Sequence, residues 1–269
     1  MRICRFEQDG HTHYGVVEER EGALWVVKPT AAPEEDLGYR LEHGSQQPVS
    51  DGFVPAPLKS FRLLPPVTPS KIVCVGRNYR DHVKELNHEL PTEPLIFLKP
   101  PSSLLAPDGV VKMPSISQRV DFEGELALVI GRRAHHLKEE DWRSAVRGWT
   151  LANDVTTRDL QNKDGQWTRA KGFDTFCPVG PLLSDEIDPT TGVTLETRVN
   201  NELRQHASSL DFIFPIPRLL NWITTVMTLE PGDLVLTGTP AGVGPLQPGD
   251  VVEISIDGLG TLRNEFQPE

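Results

Sequence analysis

The sequence predicts a β-rich α+β fold, and three observations carry that reading. The 269 residues include 24 Pro and 22 Gly, a density of breakers that favours many short strands over long helices. The apolar residues fall in short runs, such as 72–75, 126–130 and 234–236, which are strand-sized. The N-terminus, Met1-Arg2-Ile3-Cys4-Arg5-Phe6-Glu7, alternates as a half-buried strand does. At this length the chain can build one substantial core with a small appended domain.

Taken in order, residues 1 to about 28 alternate around Asp9-Gly10 and Glu21-Gly22, which predicts a small antiparallel meander. Residues 31–70 carry Pro33, Pro48, Pro55, Pro57, Pro65, Pro66 and Pro69 and read as a linker, so the chain divides into 1–68 and 69–269. Lys71 to Gly76 is then a buried strand that delivers Arg77-Asn78-Tyr79 to its end, with a helical pattern over 80–90. Residues 103–113 predict a strand pair turning at Pro107-Asp108-Gly109. Leu126 to Gly131 is a buried strand, and 138–147 an amphipathic helix with Trp142 and Val146 four apart. Helices are expected at 154–163 and 215–229. From Asp233 to Phe266 strand follows strand, joined at Pro231-Gly232-Asp233 and Pro248-Gly249-Asp250.

Charge and cysteine content exclude several functions. A net charge of -11 and a pI near 5.2, with scattered basic residues, argue against nucleic acid or anionic membrane as partner. No run approaches a membrane span, and the N-terminus lacks a signal peptide's apolar stretch, so the expected location is the cytoplasm. Cys4, Cys74 and Cys177 are odd in number and far apart, which disfavours both a disulfide framework and a zinc site.

The most informative segment is Asp121-Phe122-Glu123-Gly124-Glu125, running straight into the apolar strand. Glu123 and Glu125 are two apart, so they point the same way at the mouth of a dry core. Two desolvated carboxylates side by side need a positive partner, and a hard divalent cation is the simplest one. Asp154, Arg158 and Gln161 fall at i, i+4 and i+7, on one face of a helix that starts at the aspartate. Three carboxylates without a nearby Cys or paired His make an all-oxygen site, suited to Mg²⁺ or Mn²⁺, with Ca²⁺ acceptable.

A second constellation is Arg77-Asn78-Tyr79-Arg80-Asp81-His82-Val83-Lys84-Glu85. His82 and Glu85 are adjacent on a helix, so the carboxylate can orient the imidazole as a general base. An isolated His-x-x-Glu is ordinarily a surface pair; its place after a buried strand end, beside Arg77 and Tyr79, gives this one a site. Lys171, among aromatic and small residues, can stabilise an enolate. The loop from Thr237 to Gly244 brings backbone close to a ligand, but without Gly-Lys-Ser/Thr it is no phosphate-binding loop.

Together, Lys71 to Tyr79, Asp81-His82, Phe97-Leu98-Lys99-Pro100, Glu123-x-Glu125, Asp154-x-x-x-Arg158-Asp159-x-Gln161, Lys171-x-Phe173 and Leu236-Thr237-Gly238-Thr239-Pro240 closely resemble the fumarylacetoacetate hydrolase family over residues 70–265. The nearest subgroup acts on acylpyruvates and oxaloacetate. The resemblance implies a mixed β-roll catalytic domain, a small N-terminal β domain and a homodimer. It implies Glu123, Glu125 and Asp154 as ligands of Mg²⁺ or Mn²⁺, and His82 as base on a short lid helix, oriented by Glu85. Arg77, Tyr79, Arg158, Gln161 and Lys171 would line the substrate, and Thr239 with its loop would hold a carboxylate or carbonyl.

The chemistry this implies is cleavage of a C–C bond in a small anionic 2-oxo acid, by hydrolysis of an acylpyruvate or decarboxylation of oxaloacetate, through an enolate that the cation and Lys171 stabilise. The same enolate serves isomerisation of 2-hydroxyhepta-2,4-diene-1,7-dioate or tautomerisation of oxaloacetate. A non-enzymatic metal or small-molecule binding domain is the alternative of another class. It predicts a Glu-x-Glu pair without convergent acid-base groups.

Overall fold

Two dipeptides decide the start of the fold. Asp9 and Gly10 have φ of 51° and 75°, Glu21 and Gly22 51° and 76°, the left-handed pair of a type I′ turn, whose twist matches the strands it joins. They fold Arg2–Gln8, His11–Arg20 and Ala23–Thr30 into the expected antiparallel meander. The computed structural model describes residues 1–33, 52–87 and 89–269. Positions 34–51 of the Pro-rich stretch, with Pro48, lie outside the described residues, as does His88.

The meander continues into the rest of the chain. Arg2 and Ile3 pair with Ser184 and Leu183 of Cys177–Ser184, which makes the N-terminal strands one wing of a twelve-stranded sheet. Beyond Cys177–Ser184 the order is Val146–Asn153, Gly124–Ile130, Leu234–Leu236, Ile72–Gly76 and Leu95–Lys99. The central strands are buried on both faces, which explains why they read as unbroken apolar runs. A five-stranded sheet of Glu202–Ser208, Thr194–Val199, Val251–Ile256, Gly260–Pro268 and Val110–Met113 covers one face. The architecture is thus a mixed β-roll with few helices.

Alternation along Gly124–Ile130 divides the interior. Leu126, Leu128 and Ile130 join Val252, Ile254, Leu262 and Phe266 of the five-stranded sheet in the main core. Ala127 and Val129 face a second cluster with Ile72, Cys74, Val179, Leu234 and Leu236. Glu123 and Glu125 share the parity of Ala127 and Val129, so the second core ends in carboxylates. The helix Ile216–Val226 closes the main core through Ile216, Leu219, Leu220 and Ile223.

Three local expectations are corrected. Residues 104–105 and 110–113 do not pair with each other: Leu104–Leu105 runs parallel to Cys177–Ser184, and Val110–Met113 parallel to Gly260–Pro268. The turn residues carry the chain between sheets instead of back on itself. Glu139–Ala145 is a 3-10 helix whose buried residues, Trp142 and Ala145, lie three apart, the spacing of that helix; Val146 already belongs to the next strand. The third helix starts at Arg158, not Asp154. Thr156–Thr157 pairs with Val120 and Asp121, an extended conformation that β-branched residues favour.

Candidate active site

The register of one hairpin brings the carboxylates together. Gly124 stands opposite Asn153 and Glu125 opposite Ala152, so Glu123 and Asp154 are next in line, and the Asp154 N–H donates to the Glu123 carbonyl at 2.9 Å. The Asn153 side chain accepts from the Glu123 N–H at 2.9 Å. Glu123, Glu125 and Asp154 are all buried, with one carboxylate oxygen from each lying within 4.8 Å of the others. Asp154 needs no helix to reach the site, because the strand pairing itself aims it there.

Burial of three carboxylates demands compensation, and the fold supplies it unevenly. Lys171 Nζ lies 2.8 Å from Glu123 Oε2 and 2.6 Å from Asp154 Oδ2. Lys99 Nζ lies 2.7 Å from Asp154 Oδ1, and Arg158 Nη2 donates to Glu123 Oε1. Burial pushes the Glu123 carboxyl up, but Lys171 and Arg158 outweigh it and hold it well below the usual range. Burial alone would lower the Lys171 ammonium; Asp154 and Glu123 lift it to about 12. Glu125 accepts from the Gly238 N–H at 2.6 Å and has no cationic side chain against it among the described residues. Burial, then the charges of Asp154 and Glu123, push its carboxyl well up.

The parallel strands Ile72–Gly76 and Leu234–Leu236 end on the same side, so the residues after both meet over the triad. After the first, Arg77 takes a left-handed φ of 59°. Asn78, fully buried, donates to the Thr237 carbonyl at 2.9 Å. Gly238 has a φ of 102°, and a Cβ there would stand 2.8 Å from that of Asn78, so only glycine fits. The short helix Arg80–Glu85 follows. His82 Nδ1 lies 3.1 Å from Glu85 Oε2, while Glu85 Oε1 accepts from the Gly242 N–H at 3.0 Å. Burial holds the His82 imidazole below its ordinary pKa against the opposing pull of Glu123 and Glu85. It is therefore neutral near pH 7, and the Glu85 contact leaves Nε2 as the basic nitrogen.

These residues enclose a cavity of about 250 Å³ lined by Arg77, His82, Glu123, Glu125, Asp154, Arg158, Gln161, Lys171 and Thr239, with Phe97 and Trp167 as an aromatic wall. Residues 71–267 match the fumarylacetoacetate (FAA) hydrolase C-terminal family model, and residues 1–66 the model described as Rv2993c-like, N-terminal. The chain belongs to the fumarylacetoacetate hydrolase family. It is 42% identical over 263 residues to oxaloacetate tautomerase YisK of Bacillus subtilis, covering 93% of this chain and 82% of that one. With mitochondrial oxaloacetate decarboxylase of Dictyostelium discoideum it shares 44% identity over 200 residues, 72% of this chain and 92% of the other. The crystal structure of 2-hydroxyhepta-2,4-diene-1,7-dioate isomerase from Mycobacterium marinum superposes with a TM-score of 0.86 at 40% identity, covering 100% of this chain and 99% of that one. These relatives make the chain a family enzyme.

In this family member the structure gathers most of the residues singled out in the sequence and places two beside the cavity. Glu85 lies behind His82 and touches it. Tyr79 is buried edge-on against Phe212, ring centroids 5.0 Å apart, outside the cavity lining. Arg158 is engaged with Asp121, Glu123 and the Gln161 Oε1 atom, so it anchors the carboxylates as well as facing the cavity. Sequence reasoning missed the functional parts of Lys99, Asp121 and the Phe97–Trp167 wall. Lys99 in particular alternates with exposed Leu98 on an edge strand, and nothing local marks it as buried.

The donor set suits a hard divalent cation: three buried carboxylates, one of which, Glu125, lacks a cationic partner among the described residues. Glu123, Glu125 and Asp154 would hold it.

Proposed function

We propose that this cavity cleaves a C–C bond in a small 2-oxo acid bearing a second carbonyl or carboxylate at the β position, with Mg²⁺ or Mn²⁺. It would act as an acylpyruvate hydrolase, an oxaloacetate decarboxylase or both, and as a homodimer, as the family resemblance implies. When bound, the cation supplies Lewis-acid polarisation of the 2-oxo carbonyl.

Charge balance is the observation that carries the reading. With the triad ionised on a bound cation, five carboxylates at the site, Glu85, Asp121, Glu123, Glu125 and Asp154, are matched by five cations, Arg77, Lys99, Arg119, Arg158 and Lys171. A dication therefore leaves the site doubly positive, which selects a doubly negative ligand such as a 2-oxo dicarboxylate or the enolate of a β-diketo acid. His82, neutral and backed by Glu85, removes a proton from water through Nε2. The hydroxide adds to the distal carbonyl, the C–C bond breaks, and its electron pair passes to the pyruvate enolate. In decarboxylation the same pair is left by departing CO₂, and no water attacks. The Lys171 ammonium lies at the wall where that enolate charge develops.

Turnover of acetylpyruvate and of oxaloacetate with Mg²⁺, with acetate, pyruvate and CO₂ quantified, tests the reading against His82→Ala and Glu123→Ala. Activity untouched by Glu123→Ala would sink it. A second reading, tautomerisation of oxaloacetate, is supported by the likeness to the tautomerase YisK. It predicts loss of enol absorbance without pyruvate or CO₂.

A further inference from the structure

Strand Glu202–Ser208 lies at the edge of the five-stranded sheet, and Glu202, Leu203, Arg204 and His206 are exposed. Gln205 between them is 0% exposed. A buried primary amide is costly unless its donors and acceptor are all met, and here they are. Gln205 Oε1 accepts from the Gly124 N–H at 3.0 Å. Its Nε2 donates to Thr239 Oγ1 at 2.8 Å and to the Pro240 carbonyl at 2.9 Å. Thr239 Oγ1 in turn donates to the Gly124 carbonyl at 3.0 Å. The three residues close a ring: Gly124 N–H to Gln205, Gln205 to Thr239, Thr239 back to the Gly124 carbonyl.

Gly124 is the residue between Glu123 and Glu125, so any tilt of its two peptide groups swings both carboxylates. The position is tight: a Cβ on Gly124 would lie 2.2 Å from Thr197 Oγ1 and 3.0 Å from Gln205 Oε1. The same ring fixes the loop whose Gly238 N–H holds Glu125. It also commits the Thr239 hydroxyl hydrogen to the protein, so that hydroxyl meets a ligand as an acceptor only.

We propose that Gln205 is a positioning residue for the metal site, acting across the two sheets to set the Glu123-Gly124-Glu125 arm and the Thr239 loop at fixed separation. The proposal rests on the metal-dependent reading above. Mn²⁺ affinity by calorimetry, which needs no turnover, is its first readout, with kcat and KM for oxaloacetate or acetylpyruvate beside it.

Gln205→Met, which keeps the volume and removes all three hydrogen bonds, is expected to weaken Mn²⁺ binding about tenfold and to lower kcat about tenfold with little change in KM. Gln205→Glu keeps the acceptor for Gly124 but turns an oxygen that cannot donate toward the Pro240 carbonyl and buries a charge, so it should lose at least as much as Gln205→Met. Thr239→Val breaks the ring from its other side and should reproduce the loss, and the double variant should be no worse than either single one, because one ring is broken once. Leu219→Ala, a core truncation in helix Ile216–Val226, supplies a variant of lowered Tm whose Mn²⁺ affinity is expected to hold. Wild-type affinity and kcat in a folded Gln205→Met, additive losses in the double variant, or an equal loss of affinity in Leu219→Ala would each overturn the positioning role. If wild type itself binds no Mn²⁺, the metal reading fails first and takes this one with it.

Discussion

At the scale of single residues, two groups make predictions with a definite sign. His82 is held below its ordinary value by burial, so its basic, neutral form dominates at pH 7 and is lost only on acidification. kcat/KM is therefore expected to fall tenfold per pH unit below a pKa that lies under the ordinary histidine value of about 6.5. Glu85→Ala removes a contact that favours the charged imidazole, so it should move that limb to lower pH while reducing the plateau. A pH profile of both proteins checks this. Lys171 is the shared counterion of Glu123 and Asp154. Lys171→Met leaves two buried carboxylates short of a partner, which costs about 3–5 kcal/mol in chelator-treated protein. Without the ammonium the triad is more negative and binds Mg²⁺ more tightly, so at one fixed Mg²⁺ concentration the stabilisation, RT ln(1 + [Mg²⁺]/Kd), and with it the rise in Tm, should be larger in this variant than in wild type.

At the scale of elements, the site depends on the parallel pair Ile72–Gly76 and Leu234–Leu236 starting together, because both then end under the cavity. Asp233, fully buried, enforces this start. Its Oδ1 accepts from Ser70 N at 3.0 Å, Ser70 Oγ at 2.7 Å and Lys71 N at 3.1 Å, and its Oδ2 from Lys71 Nζ at 2.5 Å and Glu230 N at 2.8 Å. Asp233→Ala leaves these part-exposed donors to water and is expected to cost about 1–3 kcal/mol, or roughly 2–12 °C in Tm at about 2–4 °C per kcal/mol, read by thermal circular dichroism. Elements of this kind also show where the sequence was legible. The Asp9-Gly10 and Glu21-Gly22 turns announce themselves, because few dipeptides tolerate two left-handed residues. Glu123 and Glu125 stand out because charge at the start of an apolar run needs explaining. Asp154 was legible as a site residue but not as the end of a strand, since i, i+4, i+7 spacing is blind to the Thr156–Thr157 pairing that unwinds the first turn. Gln205 carries no local signal: its partners lie 81 and 34 residues away, and only the packing of one sheet on the other reveals them.

At the scale of the whole molecule, every residue lining the cavity lies between positions 75 and 239, yet the sheet that carries them is finished by the N-terminal strands. Cys177–Ser184 is buried at all eight positions, with Val146–Asn153 on one side and Arg2–Gln8 on the other. Leu182 packs with Cys4, Phe6, Val17 and Val26 in a cluster of its own. Removing residues 1–66 would take every member of that cluster but Leu182 with it, leaving Leu182 uncovered beside the unpaired edge at Leu183 and Ser184, a combination that invites edge-to-edge association. The truncated protein is thus expected to elute from size exclusion as aggregate or higher oligomer and to melt well below the full chain. Mn²⁺ should still bind whatever fraction stays folded, because no ligand has been removed. A monodisperse truncation with wild-type Tm would mean that the first 66 residues are an appendage docked on a finished roll. An aggregating one would mean that they are the last strands of the roll itself.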